Sequence, residues 1–156
     1  MTSDNNKLFM GLAIELAQTA FENNEVPVGA VVVQNRNSEI LAAFSNQMRA
    51  TGSSLAHAEM LALQKAMEIL KNERLVGCDM YVSLEPCPMC AYAAREVGIS
   101  QLIFGLANNK TGACGSVFDI ARDSRFGPPL EVTSGDLASE CQALLRAFFE
   151  PRRETR

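Results

Sequence analysis

His57, Glu59, Cys87 and Cys90 are the residues in this chain whose types and spacing could do chemistry. One imidazole and two thiolates form an established ligand set for a zinc ion that keeps its fourth position open to water, the arrangement of a hydrolytic site. Two residues separate Cys87 from Cys90, so both sulfurs can converge from the first turn of one helix. His57 stands thirty residues upstream and must arrive from a neighbouring element. Glu59 follows it by two positions, where a carboxylate can lie beside the metal-bound water without ligating the metal. Zinc can lower the pKa of bound water from about 15.7 to about 7. A carboxylate so placed would accept the water's proton and deliver it to a substrate.

These side chains need elements to hold them. Behind an Asp4 cap, Leu8, Leu12, Leu16 and Ala20 recur every four residues, with Phe9 and Ala13 beside them, which predicts an amphipathic helix over about 5–23. Residues 26–33, a polar turn at 34–38 and residues 40–44 read as a hairpin of β-branched strands, with Pro27 near the strand's start or edge. After a polar loop over 45–54, helical spacing over 57–70 lets His57 and Glu59 open a helix. A strand over 78–84 leads to Glu85-Pro86-Cys87-Pro88 at the start of a second helix reaching about Val97. Strands over 101–104 and near 130–133 and a final helix from about Gly135 complete the chain, with no linker or internal repeat. Strands alternating with helices predict a single α/β domain over 1–156, a mixed five-stranded sheet between two helical layers. The motifs at strand-to-helix junctions then gather at one end of it. Both helix N-termini favour negative charge and so favour thiolates.

At 156 residues, 47% of them hydrophobic and 21% charged, the chain can bury a core without staples. No apolar stretch approaches the roughly 20 residues that cross a bilayer, and the N-terminus has no signal-like segment, so the expectation is a soluble, cytoplasmic protein with no membrane partner. Five cysteines, an odd number, are not the even framework of a secreted disulfide scaffold. A net charge of −4 argues against strong sequence-blind attachment to nucleic acid through a broadly basic surface and leaves room for a local basic site. Arg146, Arg152, Arg153 and Arg156 crowd the C-terminus as a solvated helix end would. The competing arrangement for the metal motif is a structural Cys₃His site with Cys78, Cys114 or Cys141 as the fourth ligand. It leaves Glu59 unexplained and lacks a second paired-cysteine motif.

His57-Ala58-Glu59 followed by Pro86-Cys87-Pro88-Met89-Cys90 matches the signature of zinc nucleobase deaminases. Over about 8–153 the sequence resembles the bacterial tRNA-specific adenosine deaminases of the cytidine deaminase-like superfamily. The resemblance includes Glu25-Val26-Pro27-Val28-Gly29-Ala30, Asn46, Leu84-Glu85-Pro86-Cys87, Phe104-Gly105, Lys110-Thr111-Gly112-Ala113 and a last helix with Phe148-Phe149 and Arg152-Arg153. It implies a three-layer α/β/α cytidine deaminase-like fold, one Zn²⁺ per chain, a homodimer and conversion of the wobble adenosine of a tRNA anticodon loop to inosine. It further implies that Asn46, the backbone at Ala58 and Pro86 hold the flipped base, while Lys110, Phe149 and Arg153 meet the flanking nucleotides. Read from the residues alone, Asn46 is also an ordinary turn asparagine. Leu137, Cys141, Leu144 and Phe148 form an apolar stripe that makes Phe148 core, and Phe149, one step round, either joins that core or stacks on a base.

Three departures bear on the substrate. Asn108-Asn109 stands where the family commonly has an aspartate, residues 122–129 lack the family's asparagine-histidine segment, and Glu150-Pro151 interrupts a usually more basic helix end, where proline tends to kink a helix. Two other functions compete with tRNA editing: deamination of a free base or nucleoside such as guanine, cytosine or adenosine by the same chemistry, and a non-catalytic zinc subunit that lends an RNA-binding surface. Glu59 speaks against the second.

Overall fold

In the computed structural model, residues 3–134 and 137–154 are described, the side chains at 3, 153 and 154 excepted. Helix α1 (Ser3–Glu22) is followed by the hairpin β1 (Gly29–Gln34) and β2 (Glu39–Ser45), a one-turn helix α2 (Met48–Thr51) and helix α3 (Ala58–Leu70). Then come β3 (Cys78–Leu84), α4 (Pro88–Glu96), β4 (Gln101–Leu106), a 3₁₀ turn (Ser124–Phe126), β5 (Glu131–Ser134) and α5 (Ala138–Glu154). The strands order as β2-β1-β3-β4-β5. β1 runs antiparallel to β2 and β3, while β3, β4 and β5 are mutually parallel, so the sheet is mixed and five-stranded as expected.

Alternation along the central strands divides the core between two faces. Ala30, Val32, Met80, Val82, Leu102 and Phe104 pack with α3 and α4 through Ala58, Ala62, Ala66, Ala91 and Ala94. Val31, Val33, Tyr81 and Ile103 face the other way, against Phe9, Met10 and Ala13 of α1. α5 joins α1 on that second face, where Phe148 meets Phe21 edge to face at 6.3 Å. The result is the three-layer α/β/α sandwich.

The buried stripe of α1 is turned from the predicted one. Phe9, Met10, Ala13, Ala17 and Ala20 are buried, whereas Leu8 is 64% exposed. Small residues line the contact because β1 crosses directly beneath the helix: a Cβ on Gly29 would lie 2.6 Å from the Leu16 Cβ and 2.9 Å from the Ala17 amide nitrogen. The polar loop after β2 contains α2, which local sequence does not announce because its support comes from afar. The buried Glu25 carboxylate accepts the Arg49 and Ala50 N–H groups at 2.9 Å each. α5 begins at Ala138; Gly135, where its start was expected, lies outside the described residues. It runs through Pro151 to Glu154 rather than ending there. No helix among the described residues is long and apolar enough to cross a membrane.

Candidate active site

The site lies where β3 and β4 end. α3 and α4 both begin there, and each contributes its cap residue as a metal donor. His57 is the N-cap of α3 and Cys87 the N-cap of α4, both with extended backbone and neither side chain spent on capping. Pro88 at the first position of α4 fixes the backbone for helix entry where its missing N–H costs nothing. One turn later Cys90 is fully buried. His57 Nδ1 lies 3.7 Å from Cys87 Sγ and 3.4 Å from Cys90 Sγ, and the three donor atoms all fall within 4.8 Å of one another. A tetrahedral zinc with bonds of about 2.3 Å to sulfur and about 2.0 Å to nitrogen holds such ligands roughly 3.5 Å apart. Donor chemistry and spacing therefore both fit zinc. Cys78, Cys114 and Cys141 are buried elsewhere and join no such group among the described residues, so none of them supplies the fourth thiolate of a structural Cys₃His site.

Glu59 is 4% exposed. Burial pushes its carboxyl up to about 7, against the nearby His57, which pulls it down. Thus the carboxyl is poised to take up and return a proton near neutrality. The two thiols share one negative charge: a hydrogen bond from Cys90 is the main reason Cys87 falls to about 4, and the same contact drives Cys90 upward. His57 is raised, chiefly by its contact with Cys87.

Asn46, His57, Glu59 and Cys87 line one cavity of about 120 Å³, with Val26, Val28, Met48, Leu84, Glu85, Asn108 and Thr111 completing its wall. Asn46 is held by its carbonyl: the Ala58 N–H donates to its Oδ1 at 2.7 Å. Pro86 is buried, and its carbonyl accepts the Ala113 N–H at 2.8 Å. Two further cavities share Val26, Lys110 and Phe149 in their linings, and one of them also shares Leu84, Asn108 and Thr111 with the metal cavity. Lys110 Nζ sits 5.5 Å from the centre of the Phe149 ring. Phe148 is core, as its stripe predicts, while Phe149 packs edge-on against it at 5.1 Å and stays half-buried at the groove. Arg152 stacks over Phe148 at 3.5 Å and donates to the Phe148 carbonyl and to Asn24. The Arg153 side chain lies outside the described residues.

Among these residues Met48 has no local sequence signal, and Thr111, Glu85 and Glu25 stand in segments of the family resemblance that assign them no role. Met48 opens the one-turn α2 and Thr111 lies in a loop, and Glu85 and Glu25 are buried carboxylates whose partners are distant in sequence. An acidic residue directly after the apolar strand 78–84 was the available clue to Glu85. At the first departure, Asn108 Oδ1 accepts the Lys110 and Thr111 N–H groups and its Nδ2 donates to Thr111 Oγ1, folding the loop on itself. The segment at 122–129 is fastened instead by Arg95, which donates to the carbonyls of Ile120, Gly127 and Pro128.

Fold and centre together define a zinc-dependent deaminase. The chain belongs to the cytidine and deoxycytidylate deaminase family, whose zinc-binding region matches residues 3–106. It is 42% identical to a tRNA-specific adenosine deaminase of Bacillus subtilis over 154 residues, 99% of this chain and 93% of the relative. A tRNA-specific adenosine deaminase of Haemophilus influenzae is 41% identical over 97% of this chain and 87% of its own. Among solved structures, one from work on A-to-I editing by tRNA:A34 deaminases superimposes with a TM-score of 0.84 at 37% identity, covering 89% of this chain and 99% of that one. A guanine deaminase from Nitrosomonas europaea gives a TM-score of 0.79 at 25% identity, covering 91% and 83%.

Proposed function

We propose that this enzyme hydrolyses the wobble adenosine of a tRNA anticodon loop to inosine. The observation that carries the reading is a zinc-donor set whose His57 and Cys87 line a small cavity that shares Val26, Leu84, Asn108 and Thr111 with a groove marked by Lys110 and Phe149. At about 120 Å³ the inner cavity is well below the size of ordinary small-molecule sites and suits a single planar base extruded from a stack. A single-stranded loop offers such a base without the melting of a long duplex.

A zinc ion held by His57, Cys87 and Cys90 would supply hydroxide near neutral pH. Glu59, buried beside the donors, takes the proton of the attacking water and passes it to purine N1 as oxygen joins C6. It then takes the remaining proton of the added oxygen and delivers it to the amine, which leaves as ammonia when the C6–N bond breaks and C6 becomes a carbonyl. Asn46 has its carbonyl occupied by Ala58, so its Nδ2 is the group turned to a base acceptor; Ala58 acts on the base through Asn46. Pro86 secures the cavity wall through Ala113. Phe149 offers a face for a flanking base, and Lys110 and Arg153 offer charge to the phosphates.

The functional unit in this reading is a cytoplasmic homodimer. Tyr92 and Phe126, each more than 40% exposed, pack together at 5.2 Å as an apolar pair suited to a second copy, and Val117 and Phe118 are exposed to a similar degree. Light scattering should give twice the 17.0 kDa chain mass; a monomer at micromolar concentration would contradict it. For the substrate, zinc-loaded protein is incubated with an anticodon stem-loop and separately with adenosine, guanine and cytidine. Inosine from the stem-loop is expected. Product from a free base or nucleoside alone, as the likeness to guanine deaminase allows, would overturn the substrate and keep the chemistry.

A further inference from the structure

Glu85 is 1% exposed and sits between the end of β3 and the metal-binding turn, in the wall of the metal cavity, and among the described residues its carboxylate forms no ion pair. Both oxygens are spent on one loop. Oε1 accepts the Asn108 N–H at 3.2 Å and the Ser116 hydroxyl; Oε2 accepts the N–H groups of Cys114 at 2.9 Å and Ser116 at 3.1 Å. The loop folds round the carboxylate so closely that a Cβ on Gly112 would lie 2.6 Å from Glu85 Cδ and Oε2. The backbone at Glu85 and Pro86 adds two more ties, to the Leu106 carbonyl and the Ala113 N–H, each 2.8 Å.

This arrangement decides between two roles for a second carboxylate in the metal cavity. A proton carrier needs a lone pair open to the substrate, and Glu85 has four donors on it. What the loop presents is Asn108 and Thr111 in the cavity wall and Lys110 against Phe149. We propose that Glu85 is the positioning residue of the substrate rim: it fixes the 108–116 loop so that Lys110 and the cavity wall meet the RNA, governing how well the substrate is held rather than the chemical step. The inference rests on the RNA-editing reading above.

Glu85→Gln keeps the shape but turns an amide NH₂ toward backbone N–H groups, so at least one contact is lost. In zinc-loaded full-length protein the variant should retain its metal. Amide hydrogen exchange should quicken at 108–116 while α3 stays protected. For the stem-loop, KM should rise about tenfold with kcat within about threefold. Adding Lys110→Ala to Glu85→Gln should cost little more than the larger single change, because both act through one loop. Ser116→Ala, which removes only the hydroxyl contact, should raise KM by about threefold and supplies the test if Glu85→Gln fails to fold. Unchanged loop exchange, a loss of kcat at constant KM, or additive effects of the two changes would overturn the proposal. A wild-type enzyme that ignores the stem-loop would instead sink the RNA reading, and loop exchange in Glu85→Gln would still decide the tether.

Discussion

The metal centre and the substrate rim are built by opposite means. At the centre, each donor stands in the first turn of a helix or at its cap, and three ligand atoms fall within 4.8 Å because α3 and α4 start side by side at the ends of the sheet. At the rim, Lys110 rides on a loop and Phe149 on the outward side of α5, and they meet only because a buried carboxylate ties down the loop and α5 packs on α1. Chemistry is held by local geometry, and recognition by contacts that span the chain. One consequence is that the centre should respond to substitution all or none, and the rim by degrees.

The largest effect expected is from Cys87→Ala. It should take bound zinc from one per chain to near none and turnover to background, as metal analysis on purified protein would show; full zinc content would remove Cys87 from the ligand set. Glu59→Ala should come next, with zinc retained and turnover reduced by about 10²–10⁴, the range for loss of a general acid–base group. If zinc and activity fell together there, Glu59 would belong to the metal site and the contrast between ligand and proton carrier would fail. At the rim, Phe149→Ala should leave zinc and kcat nearly intact and raise KM by the equivalent of about 1–3 kcal/mol, the worth of a stacked base. An unchanged KM would return Phe149 to the core. Lys110→Ala should have the smallest effect, a few-fold rise in KM that shrinks as salt is raised. A salt-independent loss would mean that Lys110 acts by packing on Phe149 and not through phosphate.

The same contrast separates what sequence could reveal from what it could not. His57, Glu59, Cys87 and Cys90 were legible because ligand chemistry, spacing and helix-start signals coincide within short windows, and β3 was expected over the residues it occupies, 78–84. The mixed sheet followed from the alternation of elements. The buried face of α1 was misjudged because large apolar residues drew the stripe through Leu8, while the close crossing at Gly29 selects Ala13 and Ala17. α2 was missed because its N–H groups are satisfied by Glu25, more than twenty residues upstream. Nor could period alone place Phe149: its neighbour Phe148 is core, and one further step round the helix brings it to the groove edge.

The account turns on a base reaching the metal cavity from a single-stranded loop. The most direct measurement follows inosine formation under single turnover in one RNA hairpin carrying adenosine at the wobble position, beside the same adenosine paired within a duplex. Inosine at the wobble position, with the paired adenosine unchanged, is the predicted result. Equal deamination of both, or of neither while free nucleobases are turned over, would contradict it.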